Sequence, residues 1–265
     1  MTPVLFIHGL WIHSSAWRPW QDLFEEAGYD AQAPGWPGDG ATVEETRAHP
    51  ERLAGIGVRA ITDHYAGIAA RLPEKPIVIG HSFGGLVAQK LLAAGVARAA
   101  VAIDPAPIKG VRALPFAQIR SALPVVSKKA NADRSVSLTP RQFRYGFGNA
   151  ISRTESDRLH RKYAIPGPGR PVFELTAAKK DASSPTEVDL DDLRRGPLLV
   201  MGGSRDHTIP EIVARQAALL YEPGLHTSYR RMDGRGHSLV FDSGWETVAK
   251  TALEWVRQNE PSVAR

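Results

Sequence analysis

Ser82 stands in Gly-His-Ser-Phe-Gly-Gly, residues 80–85, between an apolar run at 76–79 and a second apolar stretch with helical spacing. A serine hydroxyl is a poor nucleophile unless an imidazole accepts its proton and a carboxylate holds that imidazole in the right tautomer. The chain offers both partners in matching settings. Asp206 follows the apolar run 197–203 in Ser-Arg-Asp-His-Thr-Ile-Pro-Glu, and His237 follows the run 227–233 in Gly-Arg-Gly-His-Ser. Each of the three residues lies just beyond a candidate strand, in the order serine, acid, histidine.

The surroundings of Ser82 support a sharp strand-to-helix turn. The run 76–80 reads as a strand ending at Gly80, and a helix is expected from Phe83, its leucines and Val87 forming a buried face. Such a turn strains the serine backbone and brings the residues two before and two after it so close that side chains would collide. Gly80 and Gly84 occupy those two positions. The hydroxyl is thereby pushed clear of the sheet, at the carboxyl ends of the strands and beside the first free N–H groups of a helix.

These residues need a scaffold, and the rest of the chain describes one. Short apolar runs at 3–9, 29–35, 76–82, 99–105, 197–203 and 227–233 alternate with helical periodicity at 17–27, 57–72, 84–94, 209–221 and 244–258. That pattern predicts an α/β fold with a mainly parallel sheet of about six strands and helices on both faces. The long span from Asp104 to Gly196 shows helical pieces broken by prolines and no clear strand, so it reads as a helical cap inserted in the sheet. The expected division is a core of residues 1–107 and 196–265 with the cap at 108–195.

At 265 residues and 43% apolar content the chain can bury a sizeable core, and its 24 glycines and 20 prolines are spread rather than clustered. It has no cysteine, which excludes disulfides and thiolate chemistry. The opening residues carry no basic leader and no apolar run of membrane-spanning length, so neither a signal peptide nor stable membrane insertion is expected, and the cytoplasm is the expected location. The net charge of +5 is unevenly placed. Residues 108–195 hold 17 Lys and Arg against 9 Asp and Glu, and the remainder holds 16 against 19. A solvated helical surface accounts for this excess; a lid attracting anionic substrates or an acidic surface is the sharper reading. Nucleic acid is not expected, because no aromatic residues interleave with the basic ones in a stripe.

His-Gly-Leu-Trp at 8–11, Gly-His-Ser-Phe-Gly-Gly at 80–85, Gly-Ser-Arg-Asp-His-Thr-Ile-Pro at 203–210 and Gly-Arg-Gly-His-Ser at 234–238 together resemble the α/β-hydrolase superfamily. The family's usual leading antiparallel strands have no counterpart before the first run. The resemblance implies Ser82 as nucleophile, His237 as general base and Asp206 as orienting acid, with Asp104 in Val-Ala-Ile-Asp-Pro as the rival acid. It implies backbone N–H groups of Leu10 and Phe83 as the oxyanion hole, His8 as a structural histidine beside that loop, and His81 with its side chain directed away. Trp11 and Trp36 are candidates for the substrate pocket, with core packing as the equal alternative. The implied activity is hydrolysis of small-molecule carboxylic esters through an acyl-enzyme, with neither organic cofactor nor metal. The same residues would serve lactone or amide hydrolysis, acyl transfer, perhydrolysis, carbon–carbon cleavage, or a small-molecule receptor. A homodimer is compatible with the sequence.

Overall fold

The computed structural model describes residues 1–191, 195–221 and 226–259; residues 192–194, at the end of the expected cap, lie outside them. Six strands form one sheet: β1 (Pro3–Ile7), β2 (Asp30–Gln32), β3 (Ile77–His81), β4 (Ala99–Ile103), β7 (Leu198–Gly203) and β8 (Thr227–Met232), in the order β2-β1-β3-β4-β7-β8. Every neighbouring pair is parallel. Every residue of β1, β3, β4 and β7 is buried, as expected for strands covered by helices on both faces. The edge strand β8 buries only Met232 fully.

The helices of this layer are α1 (Arg18–Glu26), α3 (Val58–Ala69), α4 (Phe83–Ala93), α9 (Glu211–Leu219) and α10 (Trp245–Asn259). They match the periodic stretches to within a few residues. A short helix α2 (Val43–Ala48), capped by the Thr42 hydroxyl, was not apparent from periodicity because six residues carry too little of a 3.6-residue pattern. The strand expected at 29–35 is only three residues long.

Between β4 and β7 lie α5 (Phe116–Val126), α6 (Pro140–Gly146), α7 (Arg153–Tyr163) and α8 (Arg170–Ala177). No strand was expected here, yet Ser135–Val136 (β5) and Gly167–Pro168 (β6) pair as a two-residue antiparallel ribbon. Two-residue strands have no alternation for a sequence to display. The expected helical pieces correspond to α5, α6 and α7, and α8 is additional.

Register sets the site. Ile7, Gly80, Ala102, Val200 and Tyr229 stand side by side across β1, β3, β4, β7 and β8. The residues that follow this row therefore emerge along one edge of the sheet, where the strand order reverses about β1 and β3.

A tight approach of backbone to backbone lies at the start of α4. A Cβ on Gly80 would stand 2.0 Å from the Gly84 carbonyl oxygen, and one on Gly84 would stand 2.1 Å from the Ile7 oxygen. Both obstacles are backbone, so neither can move aside. Gly80→Ala or Gly84→Ala is expected to cost at least about 3 kcal/mol in urea denaturation, through overpacking. Gly95→Ala, at a φ of +68° with open space around it, is expected to cost only about 1 kcal/mol of backbone strain.

Candidate active site

Ser82 adopts φ 57° and ψ −121°, a conformation that L-residues avoid. Its backbone is held from both directions. Its N–H donates to the Ile103 oxygen at 2.9 Å, and its carbonyl accepts from the N–H groups of Gly85 at 2.9 Å and Ala106 at 2.9 Å. These bonds to β4, the following loop and α4 fix the strained turn.

The hydroxyl meets an imidazole. Ser82 Oγ lies 3.1 Å from His237 Nε2, and His237 Nδ1 lies 2.5 Å from Asp206 Oδ2. With Nδ1–H donating to the carboxylate, Nε2 is left to accept the serine proton. The second oxygen of Asp206 accepts from the backbone N–H groups of Thr208 at 2.6 Å and Ile209 at 2.8 Å, which locks the carboxylate ahead of α9. The loop of His237 is laced to the loop of Asp206: Ser204 N–H donates to the Met232 oxygen, and Arg205 N–H donates to the Arg235 oxygen. His237 is fully buried, and burial lowers its pKa below the ordinary imidazole value.

Asp104 joins this group, at the end of β4 with φ 40°. Its Oδ1 accepts from Gly203 N–H at 2.6 Å, and its Oδ2 lies 3.9 Å from His237 Nδ1. The two expected rivals are thus neighbours, and the imidazole hydrogen-bonds to Asp206. Two buried carboxylates side by side cannot both be ionised cheaply. Asp206 has two backbone donors and the imidazole to stabilise its charge, whereas Asp104 has one backbone donor. Burial, and then the adjacent Asp206, raise the Asp104 pKa well above the usual carboxylate range. Burial raises Asp206 as well, opposed first by the adjacent Asp104 and then by the Ile209 and Thr208 N–H groups. Of the two acids, Asp104 is the one pushed furthest toward its neutral form, and its Oδ2 has no hydrogen-bond partner among the described residues.

His81 corrects one expectation. Its ring is not directed away from the site but lies 4.5 Å, centroid to centroid, from that of His237. His81 is buried, and burial followed by the neighbouring His237 keeps it neutral. His81, Asp104 and His237 each offer a ligand atom, all within 4.8 Å of one another. A cation there would compete with the proton that His237 Nδ1 gives to Asp206.

The loop after β1 forms the other wall. Among the described residues the backbone N–H groups of Leu10 and Phe83 have no acceptor, although both residues are buried. Unpaired buried donors are uncommon in folded proteins, and one of this pair is on the residue next to the serine. His8 Nε2 contacts Asp39 Oδ2 at 3.0 Å, its ring stacks on Trp36, and Trp36 Nε1 donates to the His8 oxygen. Trp36 is thus spent bracing His8. Asp39, which completes this brace, carried no signal in the sequence beyond being one acid in a glycine-rich loop. Trp11, at φ 67°, donates Nε1–H to the Val136 oxygen and meets Phe147 edge-on. Phe147, just after α6, also packs its ring 4.8 Å from His237, and its oxygen accepts from Ser238 N–H. Residues 163–165 are stitched to the same loop through Ile165 N–H to the Trp11 oxygen and His13 N–H to the Tyr163 oxygen.

Comparison with known proteins agrees with this architecture. A profile described as the alpha/beta hydrolase family matches residues 4–251. Solved structures with similar folds include the methylesterase MES16 from Arabidopsis, at TM-score 0.70 and 15% identity, covering 97% of this chain and 100% of that one. A monoacylglycerol lipase from Paleococcus ferrophilus matches at 0.66 and 22%, covering 97% and 94%. A thermophilic esterase from Thermogutta terrifontis matches at 0.67 and 18%, covering 98% and 91%. No curated protein matches the sequence significantly. Identities this low speak for the fold alone, but a family match over nearly the whole length, on a sheet of this order, leaves one conclusion: the chain belongs to the alpha/beta hydrolase family.

Proposed function

We propose that the chain is a serine hydrolase that cleaves carboxylic esters of small molecules through an acyl-enzyme. The observation that carries this reading is the continuous hydrogen-bonded relay from Ser82 Oγ through His237 to Asp206, starting on a strained turn beside unpaired N–H groups. Ser82 Oγ attacks the ester carbonyl while His237 Nε2 takes its proton. The N–H groups of Leu10 and Phe83 receive the oxyanion, and losing one such donor typically costs about a hundred- to a thousandfold in rate. His237 then protonates the leaving alcohol, deprotonates a water, and that water releases the acid. Asp206 stays ionised throughout, holding the imidazole and stabilising its charged form.

Residues 108–195 serve in this reading as a cap that shields the imidazole from water, a role supported by the Phe147 ring against His237 and the bonds between residues 163–165 and the Leu10 loop. Trp11, which faces Phe147, is the better supported of the two tryptophans as a substrate contact.

Ser82→Ala is expected to abolish turnover of a chromogenic short-chain ester, and a fluorophosphonate probe should label Ser82 alone; full activity in that variant would overturn the assignment. Asp206→Asn is expected to lower kcat by about 10⁴, the effect of losing the correct imidazole tautomer. Asp104→Asn alters a carboxyl that stands 3.9 Å from the imidazole, beyond hydrogen-bond reach, and should keep kcat within about tenfold, or about 1.4 kcal/mol. The reverse ranking of the two amides would make Asp104 the orienting acid.

The lowered pKa of His237 sets a pH signature. Protonation removes the base, so kcat/KM should fall on the acid side with a midpoint below the ordinary value of about 6.5. The same group favours the folded state at neutral pH. The unfolded chain takes up a proton near pH 6.5 and the folded one only lower, so stability in urea should begin to decline as pH falls below about 6.5.

A further inference from the structure

Helix α5 is apolar on two opposite sides. Val125 is fully buried against the rest of the chain. Half a turn away, Phe116, Ile119 and Leu123 follow one another at helical spacing and are 76%, 41% and 48% exposed, with Leu114 just before the helix 63% exposed. Among the described residues only Met1 and Leu219 are other large apolar side chains this open. A helix with apolar residues on two sides requires cover on both, and the described residues cover one.

Charge selects the missing cover. Residues 108–132 contain Lys109, Arg112, Arg120, Lys128 and Lys129 and no acidic residue. Arg112, Lys128 and Lys129 are exposed and have no carboxylate partner among the described residues. A second copy of the chain would bring the same cations face to face, so self-association is opposed. An apolar helix face with free cations in the segments just before and just after the helix suits a surface that is apolar below and anionic above, the arrangement of a bilayer with acidic headgroups. An apolar cavity of about 360 Å³ between α5 and α8, lined by Ile108, Val111, Ala122, Val126 and Val172, shares Leu114 and Ile119 with this stripe. Ser121 Oγ on the same helix bonds to Thr208 Oγ1, two residues beyond Asp206, at 2.8 Å.

We propose that the α5 face docks the protein peripherally on anionic lipid surfaces, with Leu114, Phe116, Ile119 and Leu123 entering the acyl boundary and Arg112, Lys128 and Lys129 meeting the headgroups. This attachment lies outside the membrane-spanning category, since among the described residues no helix is long and apolar enough to cross a bilayer. It is independent of the chemistry at Ser82.

The test is flotation of the full chain with vesicles of phosphatidylcholine alone or with about one-third phosphatidylglycerol. The expected result is binding to the anionic vesicles at least about tenfold stronger than to the neutral ones, weakened by salt. A Phe116→Asp/Ile119→Asp variant should lose binding to both vesicles by about tenfold or more, and an Arg112→Glu/Lys128→Glu/Lys129→Glu variant should lose the preference for anionic ones. Both variants alter exposed residues and should hydrolyse a soluble ester as the parent does, while Ser82→Ala should bind vesicles normally. Equal or absent binding to the two vesicle types overturns the proposal. So does a concentration-dependent dimer in light scattering that Phe116→Asp/Ile119→Asp abolishes, because the face would then be an interface between copies.

Discussion

The site depends on one close approach of backbone. At the crossing of β1, β3 and the first turn of α4, three chain segments pass with no room for a side chain at Gly80 or Gly84. That contact holds Ser82 at a positive φ, and the strain is shared among hydrogen bonds to β4, α4 and the loop after Asp104. Relaxing the turn would return the hydroxyl to the sheet and turn the N–H of Phe83 away from it. The stiffness of a fully buried parallel sheet is what makes such a conformation affordable.

A second constraint follows from placing ionisable groups where water is excluded. Ser82, Asp104, Asp206, His81 and His237 are all buried within one shell. A shell of that kind persists only if charges are few and hydrogen-bonded. The distribution of donors answers this: Asp206 receives two backbone N–H groups and the imidazole, Asp104 is pushed toward its neutral form, and burial favours the neutral form of both histidines. The better-satisfied carboxylate is thus the one that touches the imidazole. The loop after β1 is braced separately, through His8, Asp39 and Trp36, so that the donor at Leu10 does not depend on the imidazole side.

Ser82, Gly80 and Gly84 were legible in the sequence because the strain and its relief lie within five consecutive residues. The central strands were legible because burial on both faces demands uninterrupted apolar runs, and Asp206 because it directly follows such a run, whereas His237 was marked by its glycine-flanked loop after the half-exposed edge strand β8. What depends on fewer residues than one structural period left no trace, as with α2 and the ribbon of β5 and β6. The nearness of the His81 ring to His237 was also beyond reach, because it is a contact between residues 156 positions apart.

By itself the sequence determined the class of fold, the edge of the sheet where chemistry can occur, and the residue types available there, since these follow from local periodicity and from steric limits on neighbouring residues. Only the tertiary structure put Asp206 rather than Asp104 at hydrogen-bond distance from His237, placed Phe147 over the imidazole and left one apolar side of α5 uncovered by the described residues. Those outcomes rest on distances of a few ångströms between residues up to 133 positions apart, and no pattern along a chain records which of two strand ends comes nearer to a third.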